Sequence, residues 1–182
     1  MKKKNSSDIF STTNVLKILS FLVENPGKEF LGSEIQKAAS ISRAGAYIAL
    51  RDLIKQKLAT KAKKGKFLMY SLVYDEPMLK QFKVMRNTQS LKPLVEKLKP
   101  LSKKIILYGS ASRGEDDPQS DIDLFILAKD ETEVKNIISR LKIKRKIQAV
   151  VKSPSGLADF NDKEKSYLEE VNRGITLWEE KE

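Results

Sequence analysis

The sequence has no cysteine and no histidine. The first absence excludes disulfides, thiolate metal sites and a cysteine nucleophile. The second removes imidazole as general acid, general base or metal ligand. Any chemistry this chain performs therefore rests on carboxylates, hydroxyls, lysines, arginines or a metal held by oxygen. No apolar run approaches the roughly 20 residues that a membrane span needs. The opening MKKKNSSDIF is basic with no apolar stretch behind it, so it does not read as a secretory signal. The expected location is the cytoplasm, with no membrane partner. At 182 residues, 40% hydrophobic and 32% charged, the chain suits one globular domain or two small ones, each with its own core.

What the chain does have is positive charge, unevenly placed. Residues 1–100 carry 20 Lys and Arg against 8 Asp and Glu, whereas residues 101–182 carry 15 against 16. Lysines that merely solvated the surface would be spread more evenly. The asymmetry gives the halves different jobs and turns the first toward a polyanion.

The stretch TTNVLKILSFLVENPGKEF places Val15, Ile18, Leu19 and Leu22 at helical spacing and stops at Asn25-Pro26-Gly27. Ser33 is in place to cap a short second helix. A third follows in ISRAGAYIALRDLIKQKLA, with Ile41, Ala46, Leu50 and Leu53 inward. Then TKAKKGKFLMYSLVY reads as two strands around Gly65. After a flexible basic tail at 1–9, residues 10–75 resemble a winged helix-turn-helix domain, a fold that implies double-stranded DNA as partner. Arg43, Tyr47 and Arg51 recur every four residues on the outer face of the third helix, where Arg can bond guanine edges and phosphates. Lys61, Lys63, Lys64 and Lys66 crowd the hairpin within reach of phosphates or a minor groove. Winged helices also serve as protein-docking or dimerisation modules.

Between the halves, residues 76–100 predict a helical linker with a break near Asn87–Ser90. Met78, Leu79, Phe82 and Met85, then Leu91, Leu94 and Leu98, are its apolar positions. Such a stripe suits interdomain packing or the seam of a homodimer.

In LYGSASRGEDDPQSDIDLFIL, an apolar strand ends in Gly109-Ser110 and a turn opens a short helix. Backbone N–H groups there, with the Ser110 hydroxyl, can cradle a phosphate. Strand alternation puts Asp121 and Asp123 on one face, with Ile122 and Leu124 on the other. Two carboxylates so close raise each other's pKa unless a cation lies between them. With no imidazole or thiolate, the natural cation is oxygen-seeking Mg²⁺ or Mn²⁺.

Gly109-Ser110, Arg113-Gly114 and Asp121-x-Asp123 on the next strand, in that order, resemble the signature of the polymerase-β-like nucleotidyltransferase superfamily. Residues 101–182 are similar to its minimal branch. A helix at 131–142, the strand RKIQAVVKS, the helix GLADFNDKEKSYLEEVNRG and the apolar ITLWEE continue the pattern. The resemblance implies an α/β domain with a small mixed sheet, in which Gly109 and Ser110 bind the triphosphate of an NTP, ATP foremost. Asp121 and Asp123 would hold two divalent ions, one activating an acceptor hydroxyl and one stabilising pyrophosphate as it leaves. Arg113 either neutralises phosphate or pairs with Glu115 or Asp116. The family usually places a third carboxylate on the next strand. Here that position falls on Gln148, which can ligate through its carbonyl but cannot act as a base. Asp130 and Asp159 are alternative sources, with poorer spacing.

The expected protein is thus a two-domain chain, a winged helix-turn-helix followed by a minimal nucleotidyltransferase. It would transfer a nucleoside monophosphate to a hydroxyl, with a protein acceptor as in toxin–antitoxin systems one version. The alternative is a DNA-binding regulator whose degenerate transferase domain senses nucleotide or mediates contacts.

Overall fold

The computed structural model describes residues 12–140, 145–161 and 164–181, so the tail expected at 1–9 lies outside the described residues. The chain forms two compact units, Met1–Leu79 and Lys80–Glu182. Both mix helix with a small sheet.

In the first unit, α1 (Asn14–Val23) begins where Thr13 Oγ1 accepts the Leu16 N–H at 3.2 Å, and it buries Ile18, Leu19, Leu22 and Val23. A two-residue strand, β1 (Phe30–Leu31), leads into α2 (Gly32–Ala38). Ser33 does not cap this helix, contrary to its spacing. The helix starts two residues earlier than a Ser33 cap would set it, with Leu31 at the cap position, and the Glu34 carboxylate accepts the Leu31 N–H at 2.7 Å instead. α3 (Arg43–Lys55) is capped by Ser42, whose Oγ accepts the Gly45 N–H at 3.1 Å, and it buries Ala46, Ala49, Leu50 and Leu53. β2 (Ala59–Lys64) and β3 (Phe67–Leu72) pair antiparallel across the turn at Gly65. β1 adds to the other edge of β3, giving the order β1-β3-β2.

α4 (Pro77–Leu98) runs without the break expected near Asn87–Ser90. The polar residues that suggested one are bonded back onto the helix or outward from it. Thr88 Oγ1 donates to the Val84 carbonyl at 3.0 Å, Ser90 Oγ to Asn87 at 2.8 Å, and the Asn87 amide to the Ala111 carbonyl at 3.0 Å. The last turns of α4 are also more than a connector. Leu91, Leu94, Val95 and Leu98 lie in the main core of the second unit. Their partners there are Ile105 and Leu107 from β4 (Ser102–Tyr108), and Ile122, Leu124 and Ile126 from β5 (Ile122–Ala128).

The remaining elements follow in order: α5 (Gly109–Arg113), between β4 and β5, then α6 (Glu131–Ser139), β6 (Ile147–Lys152), α7 (Pro154–Asn161), α8 (Lys165–Asn172) and β7 (Ile175–Glu179). The stretch read as one helix after β6 is two, and the terminal apolar piece is a strand. The sheet order is β6-β5-β4-β7, with β5 and β6 parallel and the other pairs antiparallel. β5 is central, and its Leu124, Phe125 and Ile126 are all buried, as a strand covered on both faces requires. α4 and α6 cover one face; Val171 of α8 packs with Ile106, Tyr108 and Phe125 on the other. Among the described residues, no helix is long and apolar enough to cross a membrane.

Because Leu98 is fully buried and Met85 is half exposed, the two ends of α4 should answer differently to truncation. Leu98→Ala is expected to destabilise the second unit by about 2–5 kcal/mol. Met85→Ala should change stability by about 0.5 kcal/mol or less. Urea unfolding followed by far-ultraviolet circular dichroism checks both.

Candidate functional site

The candidate site lies where β4 gives way to α5 and β5 begins. The antiparallel register sets Tyr108 opposite Asp123, and the parallel register sets Asp123 opposite Gln148. Residues paired in register share a sheet face, so Tyr108, Asp123 and Gln148 form a row across three strands. Gln148 is exposed, and Asp123 is half-buried.

Gly109 has φ +67°, a backbone conformation that side chains disfavour. A Cβ placed on it would lie 2.5 Å from Asp123 Oδ2 and 3.3 Å from its Cγ. The turn that the sequence assigns to phosphate and the carboxylate that it assigns to metal are therefore in contact through backbone, with no room for a side chain. The N–H groups in the first turn of α5 have no acceptor within the helix. Ser112 Oγ donates to the Gly109 carbonyl at 2.8 Å and braces the turn.

The two aspartates differ. Asp121 precedes β5, and its Oδ2 is 3.1 Å from the exposed Lys146 ammonium. The Asp123 carboxyl is pushed above the ordinary carboxylate range, first by burial and then by the negative charges of Asp121 and Glu170, with Arg145 opposing. Beside them, the Tyr167 hydroxyl donates to the Tyr108 hydroxyl at 2.9 Å with the rings edge to face. Burial raises the pKa of both phenols, so they stay neutral. Arg113 Nε donates to Glu115 at 2.9 Å, and its Nη1 is 3.7 Å from Glu170. Of the ion-pair partners the sequence offered Arg113, the structure has Glu115; Asp116 is bonded to Arg145 instead.

Asp121 and Asp123 offer the oxygen ligands that a hard divalent cation takes, and Gln148 stands in register beside Asp123. The raised proton affinity of Asp123 is the strain that such a cation relieves. Among the described residues, no cluster of three acidic side chains is placed to hold a metal. Asp130 does not supply a third carboxylate. It caps α6, where its Oδ1 accepts the Thr132 and Glu133 N–H groups at 2.8 and 3.0 Å. The side chain of Asp159 lies outside the described residues.

Sequence reasoning passed over Tyr108, Lys146, Tyr167 and Glu170. Tyr167 and Glu170 are one turn apart on α8, a signal the helical period carries once α8 is known to cover this face. Nothing local marked Lys146.

In the first unit, Arg43, Tyr47 and Arg51 are all exposed along α3, and Tyr47 retains 65% of its surface. Arg51 Nε is 3.7 Å from Asp52. Lys61, Lys63, Lys64 and Lys66 are exposed on the hairpin. Two are engaged: Lys64 is 2.5 Å from Glu29, and the Lys66 ammonium is 5.4 Å from the centre of the Phe67 ring.

A strand, a glycine turn, and two carboxylates before and within the neighbouring strand thus lie together in a small α/β unit. Residues 89–182 match the polymerase beta nucleotidyltransferase family, and the chain belongs to that family. No curated protein matches the chain. Among solved structures, a distant likeness is to TrmBL2, described as an archaeal chromatin protein that shows a novel mode of DNA binding. It is 12% identical, with 90% of this chain and 70% of that chain covered and a TM-score of 0.31.

The unlike environments of the aspartates predict unlike effects of neutralising them without metal. The cost of ionising Asp123 is fully present above its raised folded-state pKa and is relieved as pH falls through that value. Asp123→Asn should therefore raise the melting temperature at neutral pH, and the gain should vanish in acid. Asp121→Asn removes an ion pair with an exposed lysine and, at the same time, a repulsion against Asp123, two effects of opposite sign, and should shift stability by about 0.5 kcal/mol or less. Thermal melts across pH in a chelating buffer test this.

Proposed function

We propose that the second unit binds an NTP, ATP foremost, together with Mg²⁺ or Mn²⁺, and transfers its nucleoside monophosphate to a hydroxyl acceptor. The first unit, as a winged helix-turn-helix domain, holds the enzyme on double-stranded DNA. The observation that carries the nucleotide reading is the contact between Gly109 and Asp123. It sets the glycine turn, read as the phosphate site, against Asp123 in a chain of the nucleotidyltransferase family.

Gly109, Ser110 and the first N–H groups of α5 would bind phosphate oxygens, and Arg113 would add positive charge on leaving Glu115. Asp121 and Asp123 would hold the cation, which supplies charge neutralisation for the triphosphate. In the transfer, the acceptor oxygen bonds to the α-phosphorus as the bond from that phosphorus to the bridging oxygen breaks, and pyrophosphate leaves. The hydroxyl proton is lost in the same step. Gln148 has no capacity to take it, so the proton goes to water and transfer is slow. Incubation with labelled ATP and candidate hydroxyl acceptors, including proteins, should give labelling that Asp121→Ala and Asp123→Ala abolish. Labelling that survives both substitutions would rule out this site. Gln148→Glu should raise the transfer rate about 100-fold or more, the usual worth of a positioned base.

Gln148 also favours a second reading: a regulator that binds nucleotide at this site without turning it over. Metal-dependent ATP binding by calorimetry, with no labelling in either wild type or Gln148→Glu, would select it.

For DNA, the exposed Arg43, Tyr47 and Arg51 and the basic hairpin support a groove-and-phosphate interface. The affinity should fall linearly on a log–log plot against salt, and loss of Lys61 or Lys63 should each reduce the slope by about 1. Lys64 is held by Glu29, so Lys64→Ala should matter less, and Glu29→Ala should tighten binding. Fluorescence anisotropy over a salt series measures these. An affinity independent of salt would refute the interface.

A further inference from the structure

The segment between α5 and β5 has no regular structure, yet it must bring Asp121 and Asp123 up to Gly109. It begins at Gly114, at φ +70°, where a Cβ would run into the Lys80 carbonyl of α4. It then folds on itself: Asp117 Oδ1 accepts the Gln119 and Ser120 N–H groups at 2.7 and 2.8 Å, and Ser120 Oγ accepts the Asp117 N–H at 3.0 Å. A self-contained turn of this kind still needs a tether.

Arg145, two residues before β6, provides one. Its Nε donates to the Ser120 carbonyl at 2.9 Å, and Nη2 to the Asp121 carbonyl at 3.3 Å. Its Nη1 donates to Asp116 Oδ2 at 2.6 Å and to Asn87 Oδ1 at 3.3 Å. Asp116 is 4% exposed, and the Lys83 ammonium donates to its backbone carbonyl. The amide of the same Asn87 donates to the Ala111 carbonyl in α5 at 3.0 Å. A continuous chain of bonds thus runs from Ala111 through Asn87 and Arg145 to the carbonyl of Asp121. It spans the two halves of the site from behind.

We propose that Arg145 is a positioning residue for metal–nucleotide binding, fixing the separation between the phosphate turn and the aspartates through Asn87. The inference rests on the nucleotide reading given under Proposed function. A buried ion pair returns little net stability over apolar packing of the same shape. An apolar side chain cannot, however, hold four acceptors at set positions, and a planar guanidinium can. Lysine, with a point charge and no fork, does not reproduce the geometry.

The test is calorimetry of Mn²⁺–ATP with the full chain, alongside thermal melts, for wild type, Arg145→Lys, Arg145→Met and Asn87→Ala. Misplacing one half of the site should weaken metal–nucleotide binding by about tenfold or more in both Arg145 variants. Asn87→Ala, which breaks the link without leaving a charge unpaired, should weaken it several-fold at an unchanged melting temperature. In a further variant, Arg145→Ala, added guanidinium should restore part of the affinity. Wild-type affinity in Asn87→Ala, or in a folded Arg145→Met, would overturn the positioning role and leave the nucleotide reading intact. Absence of binding to wild type would overturn both.

Discussion

Between Gly109 and the Asp123 carboxylate there is room for a hydrogen atom and little else. That approach depends on the register of β4 against β5, which sets Tyr108 across from Asp123. A slip of one residue would turn Asp123 into the apolar layer under α4 and α6 and bring Ile122 and Leu124 out of it. The register is held by that layer: Ile105, Leu107, Ile122, Leu124 and Ile126 are buried together under α4 and α6. Burial of ordinary aliphatic side chains thereby decides where two aspartates meet a glycine turn. The electrostatic strain on Asp123 is tolerated because the packing beneath it leaves no alternative.

Much of this was legible along the chain. The alternation in Ile122–Leu124 told that Asp123 faces away from the layer of Ile122 and Leu124, because a strand's period of two leaves only one arrangement. The helical spacing of α1 and α3 told most of their buried residues for the same kind of reason, though Val15 is only partly buried and Ile41 lies before α3. The parts that escaped are those that depend on distant partners. β1 is two residues long, and only β3 across from it makes it a strand. Asn87, Thr88 and Ser90 looked like a break because polar residues with local hydrogen-bonding capacity usually are one. Their bonds go to α5 and to carbonyls a turn back. Asp130, counted among spare carboxylates, caps α6. Arg145 gave no signal, since the carbonyls it holds lie 24 and 25 residues away.

The two units solve opposite electrostatic problems. The first leaves cations exposed on α3 and along β2, with partners only at Arg51, Lys64 and Lys66 among the residues singled out there. The second gathers acidic groups, Asp121, Asp123 and Glu170, and sets Lys146, Arg145 and Arg113 against them. Under the proposed function, the first distribution suits a polyanion and the second a cation with a polyphosphate.

Gln148 stands in register beside Asp123, at the surface, on the outermost strand of its sheet. In the genetic code, glutamine and glutamate codons differ at a single base. An added negative charge there would meet water rather than a core, so the fold would accept it. Under the proposed function, a single-base change therefore separates a nucleotide site without a positioned base from one that has it.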